Sequence, residues 1–281
     1  MSEGSDKTGI LWVVATPIGN LGDFSARARE VLGQVAVIAA EDTRVTGRLL
    51  EGLDVPARKV SLHEHNEARV IGGLIEQLAA GREVALVSDA GTPLISDPGY
   101  RLVSAAHDAG VPVHTVPGPC AATAALSVAG LPTDRFLFEG FLPARSAARR
   151  KRLGALAGRS ETLVFYAPAR DLPDIFDDLA AALGKERRAT LARELTKLHE
   201  TVRRDTLDAL HDWVGNDPDQ QRGEAVIVVE GNPAGAPEID IEALAAELAR
   251  ELPPSRAAKV LARLSGMDRK EAWGVIEGVR R

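Results

Sequence analysis

The segment from Glu83 to Tyr100 carries the residues of this chain that are best suited to hold a ligand. It begins with the apolar run Val84–Val87, which has the length and composition of a buried parallel strand. The loop that follows combines hydrogen-bonding groups with glycines that admit a close approach and prolines that stiffen the chain: Ser88, Asp89, Gly91, Thr92, Pro93, Ser96, Asp97, Pro98 and Gly99. Because open α/β sheets bind ligands beyond the carboxyl ends of their strands, we predict a ligand site in this loop.

Three more loops of this kind follow strand-like runs in the first half of the chain. They span residues 16–23, 41–44 and 117–121, and small residues and prolines are frequent in them. Parallel strands end at one edge of a sheet, so these loops and the loop 88–99 predict a shared cleft that binds a small molecule mainly through backbone groups. Four ordinary turns that need glycine and proline for their geometry are the alternative.

The elements that must position these loops follow from the hydrophobic pattern. Strand-like runs alternate with helical patterns before residue 131, which predicts parallel βαβ units, and alternate less regularly after it. We therefore expect an α/β protein with a flexible tail (1–9), an N-terminal α/β domain with a mostly parallel sheet (10–131), a second α+β domain (132–231), a linker (232–238) and a small helical segment (239–281).

Composition excludes several classes of protein. The 281 residues carry a formal net charge of −6, so any contact with RNA must come from local basic patches. No window approaches eighteen uninterrupted apolar residues, so no membrane span is predicted. The single cysteine, Cys120, excludes an internal disulfide and fits a cytoplasmic location. The glycine fingerprints of Rossmann and P-loop nucleotide sites and the G-x-S-x-G elbow are missing.

Two motifs invite other chemistry. His63 and His65 point to the same face of an extended chain and could bind zinc, but no further ligands stand at a recognisable spacing, so no metal is predicted. Cys120 lies where a helix begins, which can activate a thiol. Its alanine-rich surroundings favour a small packed side chain instead.

Two basic segments are candidates for contact with RNA phosphates. The first consists of Arg145, Arg149, Arg150, Lys151 and Arg152, without an acid among them. The second is one face of a C-terminal helix, formed by Arg256, Lys259 and Arg263, in a pair of short helices that resembles a helix-turn-helix. A solvated surface helix and packing onto the main body are the respective alternatives.

Several long stretches give the chain a family resemblance. They are VVATPIGNLGDFSARA, IAAEDTRVTGRLL, HEHNE, VALVSDAGTPLISDPGYRLV, VPGPCAATAALSVAGLPTDRFLFEGFLP, ARRKRL, ARELTKLHE and VIVVEG. With them the chain resembles the tetrapyrrole methylase superfamily and, within it, the ribosomal RNA small subunit methyltransferase I family. Cys120 stands where that family usually carries serine, and residues 166–170 match less closely.

The resemblance implies a two-domain enzyme, usually a homodimer, that binds S-adenosylmethionine between its domains. The reaction it implies is methylation of the ribose 2′-hydroxyl of a cytidine in small-subunit (16S) ribosomal RNA, free or in the ribosomal subunit. Carried over to this chain, the cofactor-binding residues are Pro17, Ser88, Asp89, Gly91, Thr92, Ile95, Pro117, Gly118, Ala121 and Tyr166.

A 2′-hydroxyl must lose its proton during such a transfer, which calls for a nearby base. Asp42 is the first candidate, Glu194, Lys197 and Asp23 are its rivals, and Arg44 would orient a phosphate or the nucleobase. Asp42 could instead cap the following helix or pair with Arg44. Methylation of tetrapyrrole carbons, and a non-catalytic role in RNA binding and assembly, are the alternative functions.

Overall fold

Two five-stranded β-sheets form the frame of the protein. The computed structural model describes residues 8–52, 55–63, 66–232 and 241–279. Both sheets belong to one compact unit, made of the described residues up to Ala157 together with Glu161–Gly231. The predicted boundary at Leu131 falls between the two sheets. Most of the predicted tail, and all but Asn232 of the predicted linker, lie outside the described residues.

The first sheet is parallel throughout, as the alternating pattern predicts. Its strands are β1 (Leu11–Val14), β2 (Val37–Ala40), β3 (Arg58–Ser61), β4 (Val84–Val87) and β5 (Val113–Val116), in the order β3-β2-β4-β1-β5. The helices between and after them are α1 (Ala26–Gln34), α2 (Thr43–Leu49), α3 (Glu67–Ala79), α4 (Tyr100–Asp108) and α5 (Ala121–Ala129).

Burial on both faces explains the continuous apolar runs of the central strands. In β2, Ile38 and Ala40 join the core on one face of the sheet, whereas Val37 and Ala39 join the core on the other. A strand covered by helices on both faces has no solvent side, so it needs no alternation with polar residues. The loops at the carboxyl ends of β1, β4 and β5 are thereby fixed at one edge.

The second sheet is mixed, as expected for the second half. Its strands are β6 (Phe136–Phe141), β7 (Thr162–Pro168), β8 (Arg188–Arg193), β9 (Thr201–Thr206) and β10 (Glu224–Val229), in the order β6-β7-β10-β8-β9. Only β6 and β7 pair in parallel. One face packs on three helices, which are α6 (Ser146–Leu156), α7 (Leu172–Leu183) and α8 (Leu207–Asn216).

The other face of the second sheet packs against α5, the last helix of the first domain. Ala125 and Leu126 of this helix share a core with Val164, Val226 and Val228 of the sheet. The helix therefore belongs by chain order to the first domain and by packing to the second. This shared helix ties the two sheets together within one unit.

The C-terminal helices form the second compact unit, together with Gly158–Ser160. They are α9 (Ile241–Glu251), α10 (Pro254–Ser265) and α11 (Arg269–Gly278). Their core contains Ala245, Leu261 and Ile276. Both ends of the turn between α10 and α11 are capped: Gly266 ends α10 in the left-handed conformation, and the Asp268 side chain accepts from the backbone N–H groups of Lys270 and Glu271.

One buried carboxylate anchors the basic segment on α6. Asp178 of α7 accepts from Arg149 Nε at 2.5 Å, from Ser146 Oγ at 2.9 Å and from Arg150 Nε. Burial raises the pKa of Asp178, but the hydrogen bonds from these three side chains outweigh it and the pKa lies below its ordinary value. The assignment of Arg149 to RNA contact is therefore wrong, because its side chain is buried in this network.

We predict that Asp178→Ala lowers the free energy of unfolding by about 3–5 kcal/mol, because Arg149 would stay buried without its carboxylate. Urea denaturation followed by circular dichroism measures the loss. Asp177→Ala is the matched control: Asp177 pairs with Arg150 at 2.9 Å, but both side chains are half exposed or more, so little change is expected. Equal losses in the two variants would contradict the role of Asp178.

Candidate functional site

A cleft of about 250 Å³ lies between the loop edge of the first sheet and the second sheet. One wall consists of Ile18, Ala90, Gly91, Thr92, Ile95, Ser96, Asp97, Cys120 and Ala121. The opposite wall consists of Phe141, Tyr166, Ala192, Glu194, Leu195, Lys197, Glu224, Ala225 and Val226. The shared cleft predicted from the loops is therefore present, and the second domain supplies half of it.

The structure divides the residues predicted to bind a cofactor into two groups. Those that line the cleft are Gly91, Thr92, Ile95, Ala121 and Tyr166. Those that lie outside its lining are Pro17, Ser88, Asp89, Pro117 and Gly118. Three of the four predicted loops reach the cleft, and the loop 41–44 does not.

Backbone pairing holds the two central loops together. Thr16 N–H donates to Gly91 O at 2.9 Å, and Gly91 N–H donates to Thr16 O at 3.1 Å. The Thr92 hydroxyl donates to Pro119 O at 2.9 Å, which joins the loop after β4 to the loop after β5. Gly91 has a φ of +84°, a conformation that favours glycine. The loops thus form one connected floor for the cleft.

Four non-glycine residues of the described chain have a positive φ, and all four lie in loops at the cleft. Leu94 (+73°) and Ser96 (+70°) are in the loop after β4, and Glu194 (+52°) and Thr196 (+68°) are in the loop between β8 and β9. Such conformations cost free energy and concentrate at functional sites. Nothing in the sequence pattern marks these positions, since none of the four is a residue type that turns require.

An aromatic group forms much of the second-sheet wall. The Tyr166 ring meets Phe138 and Phe141 edge to face, with ring centroids 4.9 and 5.6 Å apart. The Tyr166 hydroxyl accepts from Ala122 N–H at 3.2 Å, at the start of α5. Burial raises the pKa of Tyr166 well above its ordinary value, so the phenol stays neutral. Tyr166 therefore fixes the distance between the two walls.

A charged pair, Glu194 and Lys197, lies on the same wall. Lys197 Nζ donates to Glu194 Oε1 at 2.7 Å, and Glu224 N–H donates to the same oxygen at 2.9 Å. Burial raises the pKa of Glu194, but these two donors outweigh it and the pKa lies below its ordinary value. Glu194 is therefore held as a carboxylate, with one oxygen already occupied.

Asp42 has the structural role that the sequence left as an alternative. Its carboxylate accepts from Arg44 N–H at 2.8 Å and from the Arg44 guanidinium at 2.6 Å, and it begins α2. The hydrogen bonds from Arg44 lower the pKa of Asp42 to about 2. Asp42 and Arg44 lie outside the cleft lining, and the backbone N–H of Asp42 donates to Asp89 Oδ1 at 3.0 Å. Asp23 also lies outside the lining, in the turn that precedes α1.

Cys120 and the His63–His65 pair were the other candidates for chemistry. Cys120 is half-buried at the N-terminus of α5 and lines the cleft. His65 lies outside the described residues. Within the described part of the chain, no group of three or more metal-ligating side chains could hold an ion.

The remaining basic candidates are at the surface. Arg145 and Lys151 are exposed, whereas Arg150 and Arg152 are half exposed and paired with Asp177 and Glu139. All three cations predicted on α10 are exposed, namely Arg256, Lys259 and Arg263. None of them makes an ion pair with a described residue.

Solved structures share this arrangement of two sheets. Crystalline uroporphyrin-III-C-methyltransferase from Thermus thermophilus superposes with a TM-score of 0.55 at 25% identity, over 79% of this chain and 94% of that one. A structure of the same enzyme complexed with S-adenyl homocysteine superposes with a TM-score of 0.52 at 20% identity, over 79% and 97% of the respective chains. The fold and cleft therefore define a protein of the methylase class.

Sequence comparison makes the class specific. Residues 10–211 match the family described as Tetrapyrrole (Corrin/Porphyrin) Methylases. Ribosomal RNA small subunit methyltransferase I of Pseudomonas aeruginosa is 51% identical over 263 residues, which cover 92% of this chain and 93% of that protein. The chain belongs to the tetrapyrrole methylase family, in the group of the ribosomal RNA small subunit methyltransferases I.

We predict that Gly140→Ala lowers the free energy of unfolding by about 1–2 kcal/mol, because Gly140 has a φ of +67°. The added Cβ would also lie 2.9 Å from Ser96 Oγ in the cleft loop. Chemical denaturation measures the loss. Gly154→Ala in α6 is the matched control: its Cβ meets nothing within 4 Å, so a gain of up to about 1 kcal/mol is expected. If Gly140→Ala were more stable than the wild type, position 140 would not strain a residue that carries a Cβ.

Proposed function

We propose that this protein transfers a methyl group from S-adenosylmethionine to the ribose 2′-hydroxyl of a cytidine in small-subunit ribosomal RNA. The observation that carries the proposal is the 51% identity to a ribosomal RNA small subunit methyltransferase I across almost the whole of both chains. The fold, the cleft and the surface cations add independent support.

The cleft residues suit S-adenosylmethionine, which supplies an electrophilic methyl group when bound. The loop wall offers the backbone N–H of Ala121, the first residue of α5, to the nucleoside, and Tyr166 offers an apolar ring face. The Glu194 carboxylate, in the opposite wall, favours the positive charges of the sulfonium and amino groups. A Cβ at Gly91 would lie 3.3 Å from Ile18 Cγ2, so glycine at this position keeps the floor of the cleft closely packed.

The residues of the chain then have to align the acceptor oxygen with the methyl group and exclude water. Positioning of this kind supplies much of the rate enhancement in a displacement reaction. The strained, hydrogen-bonded loops around Ser96 and Thr196 provide rigid walls for it. Lys197, which lines the cleft beside Glu194 and is one-third exposed, would contact the phosphate next to the target ribose.

Surface cations would hold the RNA. Arg145, Lys151 and the half-exposed Arg150 and Arg152 form one group on α6, and Arg256, Lys259 and Arg263 form another on α10. Arg44, whose side chain is 84% exposed, is available to a phosphate although it also pairs with Asp42. Local clusters of this kind are needed because the whole protein is acidic.

We propose further that the protein acts as a homodimer in the cytoplasm. Exposed large apolar side chains, among them Leu21, Tyr100 and Leu198, provide surface that a second copy would cover. In the described residues, no helix combines the length and the apolar character that crossing a bilayer requires.

Labelled S-adenosylmethionine tests the reaction directly. We expect the purified protein to label 16S ribosomal RNA, free or in small subunits, taken from cells that lack the protein. Mass-spectrometric mapping should find one cytidine with an added methyl group. The phosphodiester bond on its 3′ side should resist alkaline hydrolysis, because a 2′-O-methyl group prevents attack by the 2′-oxygen. Labelling of precorrin-type rings instead would favour tetrapyrrole methylation, and tight subunit binding without methyl transfer would favour an assembly factor. Either outcome refutes the proposal.

We predict that replacing Arg256, Lys259 and Arg263 together by alanine weakens RNA binding and reduces the slope of log K against log salt by about 2–3, because three phosphate contacts are lost. Filter binding across a salt series measures both. The matched control replaces Lys185, Arg222 and Arg250, which pair with carboxylates elsewhere on the surface. A control that loses as much affinity would show that only net charge matters.

A further inference from the structure

The three carboxylates that line the cleft differ in what holds them. Glu194 is occupied by Lys197 and by a backbone N–H, and Glu224 is exposed at the start of β10. Asp97 is half-buried and accepts from the hydroxyl of Ser88, which is itself buried at the end of β4. It makes no ion pair with any cation of the described residues. Asp97 and Glu224 thus remain available to a ligand, and of the two only Asp97 is half-buried and lies in the loop wall.

The loop around Asp97 is fixed from several sides. Leu94 and Ser96, just before it, have the strained left-handed conformation. Just after it, Gly99 N–H donates to the buried Glu67 Oε1 at 3.1 Å, and a Cβ at Gly99 would lie 2.7 Å from Leu86 Cδ2. The chain therefore enters and leaves Asp97 through positions that cannot shift freely, which holds the carboxylate at the cleft wall.

We propose that Asp97, and not Asp42, accepts the proton of the ribose 2′-hydroxyl during methyl transfer. This assignment rests on the proposed function. In the step, the 2′-oxygen forms a bond to the methyl carbon while the carbon–sulfur bond breaks and its electron pair stays on sulfur. The O–H bond breaks at the same time, its electron pair stays on oxygen, and its proton passes to the Asp97 carboxylate, which later releases it to water.

Asp42 is unsuited to this role for a geometric reason. Both of its oxygens accept from the Arg44 guanidinium, at 3.1 and 2.6 Å, and its side chain lies outside the cleft lining. A proton acceptor needs a free lone pair directed at the substrate. Asp42 would have to give up its helix cap and its ion pair to provide one.

The charges that face Asp97 strengthen it as a base. Burial, together with the nearby carboxylates Glu41 and Asp89, raises the pKa of Asp97 to about 6, against the hydrogen bond from Ser88. The opposite wall presents the neutral phenol of Tyr166 and the Glu194–Lys197 pair. A carboxylate with this pKa is still ionised at neutral pH and accepts a proton more readily than an ordinary aspartate.

The test compares Asp97→Asn with the wild type on small-subunit RNA. We expect kcat to fall by at least about 100-fold, because asparagine keeps the shape but cannot accept the proton. The dissociation constant for S-adenosylhomocysteine, measured by calorimetry, should stay within about threefold. The matched control is Asp212→Asn, the same change at an exposed site on α8, which should leave kcat unchanged.

Two measurements on the wild type do not depend on the folding of a variant. Its kcat should rise with pH along a limb with an apparent pKa near 6, and a carboxyl carbon of Asp97 should titrate there by NMR. A flat profile between pH 5 and 8, or full activity of Asp97→Asn, overturns the assignment while the proposed function stands. A wild type that methylates no RNA overturns the proposed function and the assignment with it.

Discussion

The cleft depends on the two hydrogen bonds that Thr16 and Gly91 exchange. The strands before them, β1 and β4, are parallel neighbours, yet these two residues pair in the antiparallel sense. The chain must therefore turn back over the sheet edge directly after β4, and this reversal creates the floor of the cleft. Thr16 is fully buried, and a buried backbone group that loses its partner is costly, so the reversal is strongly enforced.

Helix α5 carries the geometry of that floor to the second sheet. Its N-cap residue Cys120 and its first residue Ala121 line the cleft, and the alanines and Leu126 that follow pack against β7, β8 and β10. The amide of Ala122 also reaches the Tyr166 hydroxyl. Both walls of the cleft are thus attached to one helix, so a change in how α5 packs would alter the ligand site as well as the core.

Much of this architecture follows from local sequence. The apolar run Val84–Val87 predicted a strand, which is present as β4 because burial on two faces leaves no other use for such a run, and the loop after it lines the cleft. Helix α2 was anticipated only as a helix that Asp42 could cap, without bounds, since Gly47 and two arginines obscure its pattern. Strand β9 was missed, because its sequence TVRRDT has a single apolar residue and three charged residues in a row, and so lacks an apolar alternation.

At the site, the sequence predicted candidate side chains but did not show which of them are available to a ligand. Arg149 belongs by composition to a surface patch, but Asp178, 29 residues further along the chain, buries it. Asp42 follows β2 as expected, but it lies outside the cleft lining and its carboxylate pairs with Arg44. The partner of Arg149 is brought to it only by tertiary structure, which no spacing rule contains, whereas the partner of Asp42 is local and was one of two alternatives open from the sequence. The positive φ values of Ser96 and Thr196 likewise arise only in the folded loops, where surrounding contacts hold the backbone in this conformation.

The position of Cys120 has a practical consequence. It is the one cysteine in the sequence, and it lies in the wall of the cleft, partly accessible to solvent. A fluorescent maleimide would therefore mark a single place on the molecule, and any molecule seated in the cleft would shield that sulfur from alkylation. The rate at which Cys120 is alkylated would therefore show whether a ligand occupies the cleft, without a methyl-transfer assay.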